Sequence, residues 1–404
     1  MTDNEKITLI RDAMPATQQR VYLNTGSSGP ISSLTINILN QENTQELTQG
    51  RASMDRFRLF KQTLVEARQA MADLVKAGPD EIALTHHTTE GMNIVAQGLS
   101  WQPGDEIVTT TMEHEGGLLP LYVLRQRQGV IVNVVDIPFE AGPDEILARL
   151  EAALTPRTRL LVFSHVAWNT GVRLPLTEIV AMGRRRNVLS LVDAAQSVGA
   201  IPLDLPASGV DFYAMPGQKW LCGPEGVGAL YVRRDRLHQV APTFAGFSTL
   251  KDATAYDFTG HFVPAAGARR YEVGTVYRPG IRAMAANLTW LAETIGWDWI
   301  HARIAQLAEY ARNRLQQLSG LTVITPPGPQ AGLITFNLDG YDPARVMTRL
   351  AEQDIIIRFL RHPYAVRLSA GFYNTEADID RLITALQTIL AGDPEALPQF
   401  EPFW

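Results

Sequence analysis

The sequence predicts an α/β fold: a large domain built on a mostly parallel sheet covered by helices, followed by a smaller C-terminal α/β domain. Three observations carry this expectation. Between about residues 60 and 232, short runs that are apolar throughout alternate with stretches of helical period. The runs do not alternate polar with apolar, as strands covered on both faces should not. After about residue 282 the pattern resumes in a shorter strand–helix–strand–strand–helix order.

The expected strands of the first part are Glu106–Thr111, Val130–Asp136, Leu160–Ser164, Val188–Asp193, Phe212–Met215 and Gly228–Val232. Between and before them lie helix-like stretches at Phe60–Lys76, Gly91–Leu99, Gly117–Gln128, Asp144–Ala153 and Leu176–Arg186. Most connections should then be parallel and right-handed. Residues 233–280 are irregular and rich in Gly, aromatic residues and Arg. A long helical pattern runs from Ile281 to Ser319, with a break near Trp297. The tail reads as Leu333–Asn337 strand, Pro343–Gln353 helix, Ile355–Phe359 strand, Ala365–Ser369 strand and Thr375–Ala391 helix. Thr375 and Asp378 make an N-capping pair at the start of that last helix. This organisation divides the chain into a large domain, 20–282, and a small domain, 283–404, with the segment 1–19 packing on the small one.

Composition excludes several classes. The 404 residues are 46% apolar and 19% charged, with a mean hydropathy of -0.05, as in a globular protein with ample core. A net charge of -6 gives no broad attraction to a nucleic-acid backbone. No apolar run is long enough to span a bilayer. The polar N-terminus lacks a signal-peptide core, so the expected location is the cytoplasm. One cysteine, Cys222, forms no internal disulfide and excludes multi-cysteine zinc sites. His86 and His87 lack metal-ligand spacing, so no metal is expected. Only five of the 36 basic residues are lysines: Lys6, Lys61, Lys76, Lys219 and Lys251.

In open α/β sheets, ligands bind beyond the carboxyl ends of the strands. Asp193 follows one apolar run, in VDAAQSVGA; a carboxylate there must be desolvated and paired. Lys219 follows another, in MPGQKWLCGPEGVG. His165, Trp168 and Asn169 follow a third, and His114 a fourth. Before the Gly91 helix sits HHTTEGMN, whose hydroxyls and free N–H groups make a phosphate seat. Taken singly, each residue has a plain structural explanation; the joint order carries the argument. A phosphate seat, a flat ring, a buried carboxylate and a lysine on one sheet edge suit pyridoxal phosphate. The lysine binds the cofactor covalently, the carboxylate keeps the pyridine nitrogen protonated, and the ring stacks on its face.

In that same order stand T-T-E-G (88–91), E-H (113–114), S-H-x-x-W-N-T-G (164–171), V-D-A-A-Q-S (192–197), G-x-K-W (217–220), G-P-x-G-V-G (223–228) and R-Y-E-V-G-T (270–275). With these motifs, residues 20 to 390 resemble the class V aminotransferase family of fold-type I pyridoxal phosphate enzymes. That family includes cysteine desulfurases, cysteine/cystine C–S lyases and isopenicillin-N epimerases. The resemblance implies that Lys219 carries the cofactor and moves the proton at the substrate Cα. It implies that Asp193 pairs with the pyridine nitrogen, Gln196 bonds the phenolic oxygen and His114 stacks on the ring. Thr89, with the N–H groups of Glu90 and Gly91, would hold the phosphate. Asn169 would lie near the phenolic oxygen and the substrate. Thr275 would reach the phosphate of the other subunit, making a homodimer with shared sites. Arg367 would bind the substrate carboxylate as a bidentate fork.

Two departures stand out. The family's Ser/Thr-Gly-His-Lys is here Pro216-Gly217-Gln218-Lys219. A hydroxyl is lost, while Gln218 can still donate to the cofactor. The desulfurase nucleophile is also missing: the segment after Arg367 reads RLSAGFYN, without cysteine. Within the family the resemblance points to cysteine/cystine C–S lyases, through WNTG followed by LPL and through Arg358 and Arg367. The expected reaction is β-elimination from a sulfur amino acid to pyruvate, ammonia and a thiol or persulfide; the alternatives are an aminotransferase or an epimerase.

Overall fold

The computed structural model describes residues 1–328 and 331–401. Residues 402–404, which end the expected 283–404 domain, lie outside the described residues. Thirteen strands form the framework. They are β1 (Val21–Tyr22), β2 (Ile82–Thr85), β3 (Glu106–Thr110), β4 (Ile131–Val135), β5 (Thr158–Ser164), β6 (Leu189–Asp193) and β7 (Phe212–Pro216), then β8 (Gly228–Val232), β9 (Leu321–Val323), β10 (Leu333–Leu338), β11 (Ile355–Ile356), β12 (Arg358–Arg361) and β13 (Tyr364–Ser369).

Seven of these make the main sheet, in the order β2-β8-β7-β6-β5-β3-β4. The four pairings from β4 through β7 are parallel, and the two involving β8 are antiparallel. The strands are apolar throughout because both faces are covered. Leu160 and Val162 enter one apolar cluster, and Leu161 and Phe163 the other. The same split separates Phe212 and Ala214 from Tyr213 and Met215. A parallel strand therefore needs twice the apolar content of a half-solvated one.

A four-stranded antiparallel sheet, ordered β12-β13-β10-β9, has its own core. The helices Trp297–Gln316, Pro343–Ala351 and Glu376–Leu390 supply Leu307, Leu350, Leu382 and Leu386 to it. The capping box at Thr375 and Asp378 forms as the sequence suggests. The N-terminal helix Asp3–Ala13 docks through Arg11, 2.9 Å from Asp378, and through Lys6, which donates to the Ile295 carbonyl. No helix among the described residues is long and apolar enough to cross a membrane.

Several elements differ from the sequence reading. The expected strand Ile355–Phe359 is two: β11 pairs with β1, and β12 pairs with β13, with Ile357 between them. The helix expected from Phe60 begins at Met54, because Ser53 caps it by accepting from the Arg56 amide. The helix Ser33–Gln49 carries little amphipathic signal; of its side chains only Thr35 and Glu42 are buried. Its anchor is electrostatic, with Glu42 3.1 Å from Arg56 and 2.9 Å from Arg282. The break expected near Trp297 falls at Gly296, whose φ of +90° suits glycine.

Candidate active site

The carboxyl ends of the main-sheet strands meet on one edge. β8 runs antiparallel to β7 and β2 antiparallel to β8, so β2 points the same way as β7. Residues after β2, β3, β5, β6 and β7 can therefore converge. They do so around a cavity of about 240 Å³ whose wall includes His87, Thr88, Thr89, His114, Trp168, Asp193, Gln196 and Lys219. Arg358 and Arg367 enter from the small sheet, and Gly26 and Ser27 from the loop after β1. A larger hollow of about 660 Å³ lies at the opposite ends of β5 and β6. Its arginines are already used: Arg159 pairs with Asp105, Arg186 with Glu151 and Arg236 with Asp211.

Lys219 lies three residues beyond β7, half-buried, with no carboxylate in ion-pair contact. Burial pushes its amine down to about 8; the nearby Arg367 and Arg358 charges add to this and the Asp193 carboxylate opposes it. About a tenth is thus neutral, and nucleophilic, at pH 7, far more than for an ordinary lysine. Asp193 ends β6 and is buried on the cavity wall. Its Oδ1 accepts from the Ala195 amide at 2.8 Å, which fixes its orientation. Behind it, Glu113 accepts from Thr110 and Ser164, residues at the ends of β3 and β5. Burial raises the Glu113 carboxyl to about 7, with both hydroxyl bonds opposing the rise.

Gln196 is held at both ends of its amide. Its Nε2 donates to the Gly26 carbonyl and its Oε1 accepts from the Trp220 indole, each at 2.9 Å. One amide N–H remains to offer a ligand. His114 caps the helix Glu115–Gln128: its Nδ1 accepts from the Gly116 amide at 3.0 Å. Burial and the Lys219 charge lower its pKa, so the ring stays neutral. It meets Trp168 edge to face at 5.1 Å between centroids.

The opposite wall is cationic. Arg358 and Arg367 are directly opposite in the β12–β13 register. Both reach Ser27 Oγ, at 3.1 Å and 3.4 Å, and Arg367 also donates to the Trp168 carbonyl at 2.6 Å. Arg367 is 1% exposed, its Nε has no partner, and no carboxylate pairs with either guanidinium. Burial and the Arg358 charge lower the Arg367 pKa to about 9. The buried Arg367 guanidinium, beside exposed Arg358 and without a counter-ion among the described residues, costs free energy until an anion arrives.

Some expected site residues stand elsewhere. Glu90 and Gly91 are not on the wall. The Glu90 N–H is spent on His87, and Gly91 lets the helix approach β7, since a Cβ there would come within 2.8 Å of the Ala214 Cβ. Asn169 is buried off the wall, its Nδ2 donating to the His362 carbonyl at 3.3 Å. Thr275 is exposed and away from this cavity. The sequence reading missed the loop of Gly26 and Ser27, for which the turn-forming run NTGSSG was the available signal. At Gly26 a Cβ would lie 2.8 Å from Ser369 Oγ and 3.0 Å from Arg367 and Gln196.

These features fit pyridoxal phosphate. A lysine amine faces a cavity without an acid partner, a buried carboxylate shares the wall, and the Thr88 hydroxyl and Gln218 Oε1 are buried without partners. Gly26 keeps a bare cradle where any side chain would intrude.

The comparisons agree. The family model described as aminotransferase class-V matches residues 21–382. The chain is 33% identical to a probable cysteine desulfurase of Mycolicibacterium paratuberculosis over 81% of its own length, and spans about half (49%) of that relative. It is 32% identical to the isopenicillin N epimerase of Streptomyces clavuligerus, covering 91% of this chain and 94% of the other. Among solved structures, the cystine C-S lyase C-DES in complex with its reaction product cysteine persulfide superposes with a TM-score of 0.87. That pair is 32% identical, with 93% of this chain and 99% of C-DES covered. A C-DES mutant with glycine covalently linked to the PLP cofactor gives a TM-score of 0.88 at 31% identity, with 93% of this chain and 98% of the mutant covered. The fold is therefore that of fold-type I pyridoxal phosphate enzymes.

Proposed function

The chain belongs to the class V aminotransferase family of pyridoxal phosphate-dependent enzymes, and from that premise we propose that it is a carbon–sulfur lyase. Its substrate is cysteine, cystine or a related β-substituted amino acid. The products are pyruvate, ammonia and a thiol or persulfide. One observation carries the choice of reaction. Cys222, the sole cysteine, is fully buried, and burial pushes its thiol well above the ordinary range. A desulfurase needs a reachable thiolate to take the sulfur, whereas elimination needs none.

Pyridoxal phosphate supplies an electron sink that acidifies the substrate Cα–H and lets the β-sulfur depart. Lys219 carries the cofactor and, once freed by the substrate amine, takes the Cα proton; its lowered pKa suits a base near neutral pH. Asp193 holds a proton on the pyridine nitrogen, and its bond from Ala195 keeps the carboxylate aimed. Gln196 offers its free N–H to the phenolic oxygen. His114 packs on the ring, held in place by its cap on Gly116. Thr88 and Thr89, at the start of the helix Thr88–Gly98, receive the phosphate. Arg367 forks the α-carboxylate. Arg358 suits a second carboxylate, such as the distal one of cystine; their unpaired cross-strand position supports this.

The reading includes a homodimer, with Thr275 reaching the neighbouring site. Exposed Thr275, exposed Phe247 beside Gly274, and the exposed apolar side chains of Phe244 and Phe258 support it. It also includes a domain division near residue 282; the four-stranded sheet has a core of its own, while Met284, Leu288, Leu291, Ile300 and Ile304 beyond that point still enter the main one. The test incubates pure protein with cysteine, cystine and other amino acids and assays pyruvate, ammonia, sulfide, alanine and keto acids together. Pyruvate from cystine is expected. Alanine as the main product would show a desulfurase, a D-amino acid an epimerase, and a keto-acid-dependent half-reaction an aminotransferase.

A further inference from the structure

We propose that His87 is a ligand of the cofactor phosphate and replaces a donor that Pro216 cannot supply. The inference rests on the cofactor reading above and concerns how this chain holds the dianion. Pro216 ends β7 on the cavity wall and offers neither hydroxyl nor N–H. Gln218 on the same wall carries no hydroxyl and no ionised group to offer the dianion. β7 reaches the neighbouring strand end through β8. Pro216 pairs with Gly228 and Gly228 with Thr85, and a Cβ on Gly228 would lie 3.2 Å from the His87 Cα. His87 thus stands beside the gap that Pro216 leaves.

The histidine's protonation pattern is fixed locally. His87 is the N-cap of the helix Thr88–Gly98, and its Nδ1 accepts the Glu90 amide at 3.1 Å. With Nδ1 an acceptor, Nε2 is left as the ring's N–H donor, on an exposed residue that lines the cavity. Capping alone is served by Ser, Thr, Asp or Asn, none of which adds a second ring nitrogen. The neighbouring His86 does not line the cavity, and its Nδ1 lies 2.8 Å from the Glu90 carboxylate. A second, independent observation points to an anion here. Thr88 is 7% exposed on the same wall, and its Oγ1 is buried without a partner. The helix dipole adds a positive end at the same place.

The test titrates apoprotein, prepared from holoenzyme, with pyridoxal phosphate and with pyridoxal, which lacks the phosphate. It follows the absorbance formed with Lys219 and the phosphorus resonance of the bound cofactor. His87→Ala removes ring and cap; His87→Asn keeps the cap. Both variants should bind pyridoxal phosphate roughly tenfold more weakly, the effect of one charge-assisted hydrogen bond. Both should bind pyridoxal as wild type does and shift the phosphorus resonance. Wild-type affinity with an unmoved resonance in His87→Asn would overturn the proposal. So would equal weakening toward pyridoxal and pyridoxal phosphate. Absence of any cofactor absorbance in the wild-type protein would overturn the cofactor reading along with it.

Discussion

The two walls of the cavity are built on different principles. On the strand-end wall, three polar side chains are fastened by backbone groups. Asp193 is held by the Ala195 amide, His114 by Gly116 and Gln196 by Gly26. On the small-sheet wall, two guanidiniums stand opposite each other with no acid between them. The carboxylate, imidazole and amide of the first wall are set before a ligand arrives, as electrostatic preorganisation requires. The second is completed by the ligand, so its energy goes into choosing an anion. The structure therefore separates chemistry from recognition, and substitutions on the two walls should fail in different ways.

Lys219→Ala should give the largest effect. Turnover should fall by about 10⁴-fold, the upper end for a lost proton-transfer group, and the cofactor's lysine-bound absorbance should vanish. A borohydride-reducible adduct on another lysine would contradict it. On the recognition wall, Arg367→Ala should lower kcat/KM about 100-fold through KM, as expected when two charge-assisted bonds to a carboxylate go. Steady-state kinetics separate the two cases, because a fall confined to kcat would place Arg367 with the chemistry. Arg358→Ala should cost about tenfold with cystine and much less with cysteine, which has no second carboxylate. Equal losses on both substrates would erase the distinction between the arginines.

Beneath the strand-end wall, His165 is buried with Nδ1 2.8 Å from the Tyr213 hydroxyl. Burial, helped by the Arg173 charge, pushes its pKa down to about 3. The unfolded chain takes up this proton from about pH 6.5 downward, while the folded one stays neutral to about 3. Its contribution to stability is therefore whole above pH 6.5 and is lost at about 1.4 kcal/mol per pH unit below it. Denaturant melts between pH 7 and 4 should show His165→Gln with a shallower loss than wild type; parallel curves would exclude the assignment. Cys222→Ala should have the smallest effect, with C–S cleavage at wild-type rate. Loss of sulfur release in that variant would make Cys222 the nucleophile and the enzyme a desulfurase.

Much of the strand-end wall was legible because its residues follow apolar runs directly: Asp193 after β6, His114 just beyond β3, Lys219 just beyond β7. The phosphate seat was legible only in part. The motif T-T-E-G points to the helix Thr88–Gly98, but it could not show that the Glu90 amide bonds its own cap, or that His87 lines the cavity. Asn169 stands off the wall for a related reason. Its neighbour Trp168 takes the wall, and the amide is drawn away to His362, 193 positions along.

The sequence by itself determined the layered α/β architecture, the strand ends that meet at the cavity and the lysine that follows one of them, because each is written in local periodicity and punctuation. Tertiary structure alone decided which distant residues share a wall. It set Arg358 opposite Arg367 through strand register and brought Ser27 against both from some 330 positions away. It also buried Cys222 at 0% exposure, which no spacing could show. The physical reason is that register and burial depend on how two sheets and their helices close on each other, and that closure is settled by contacts between segments far apart in the chain.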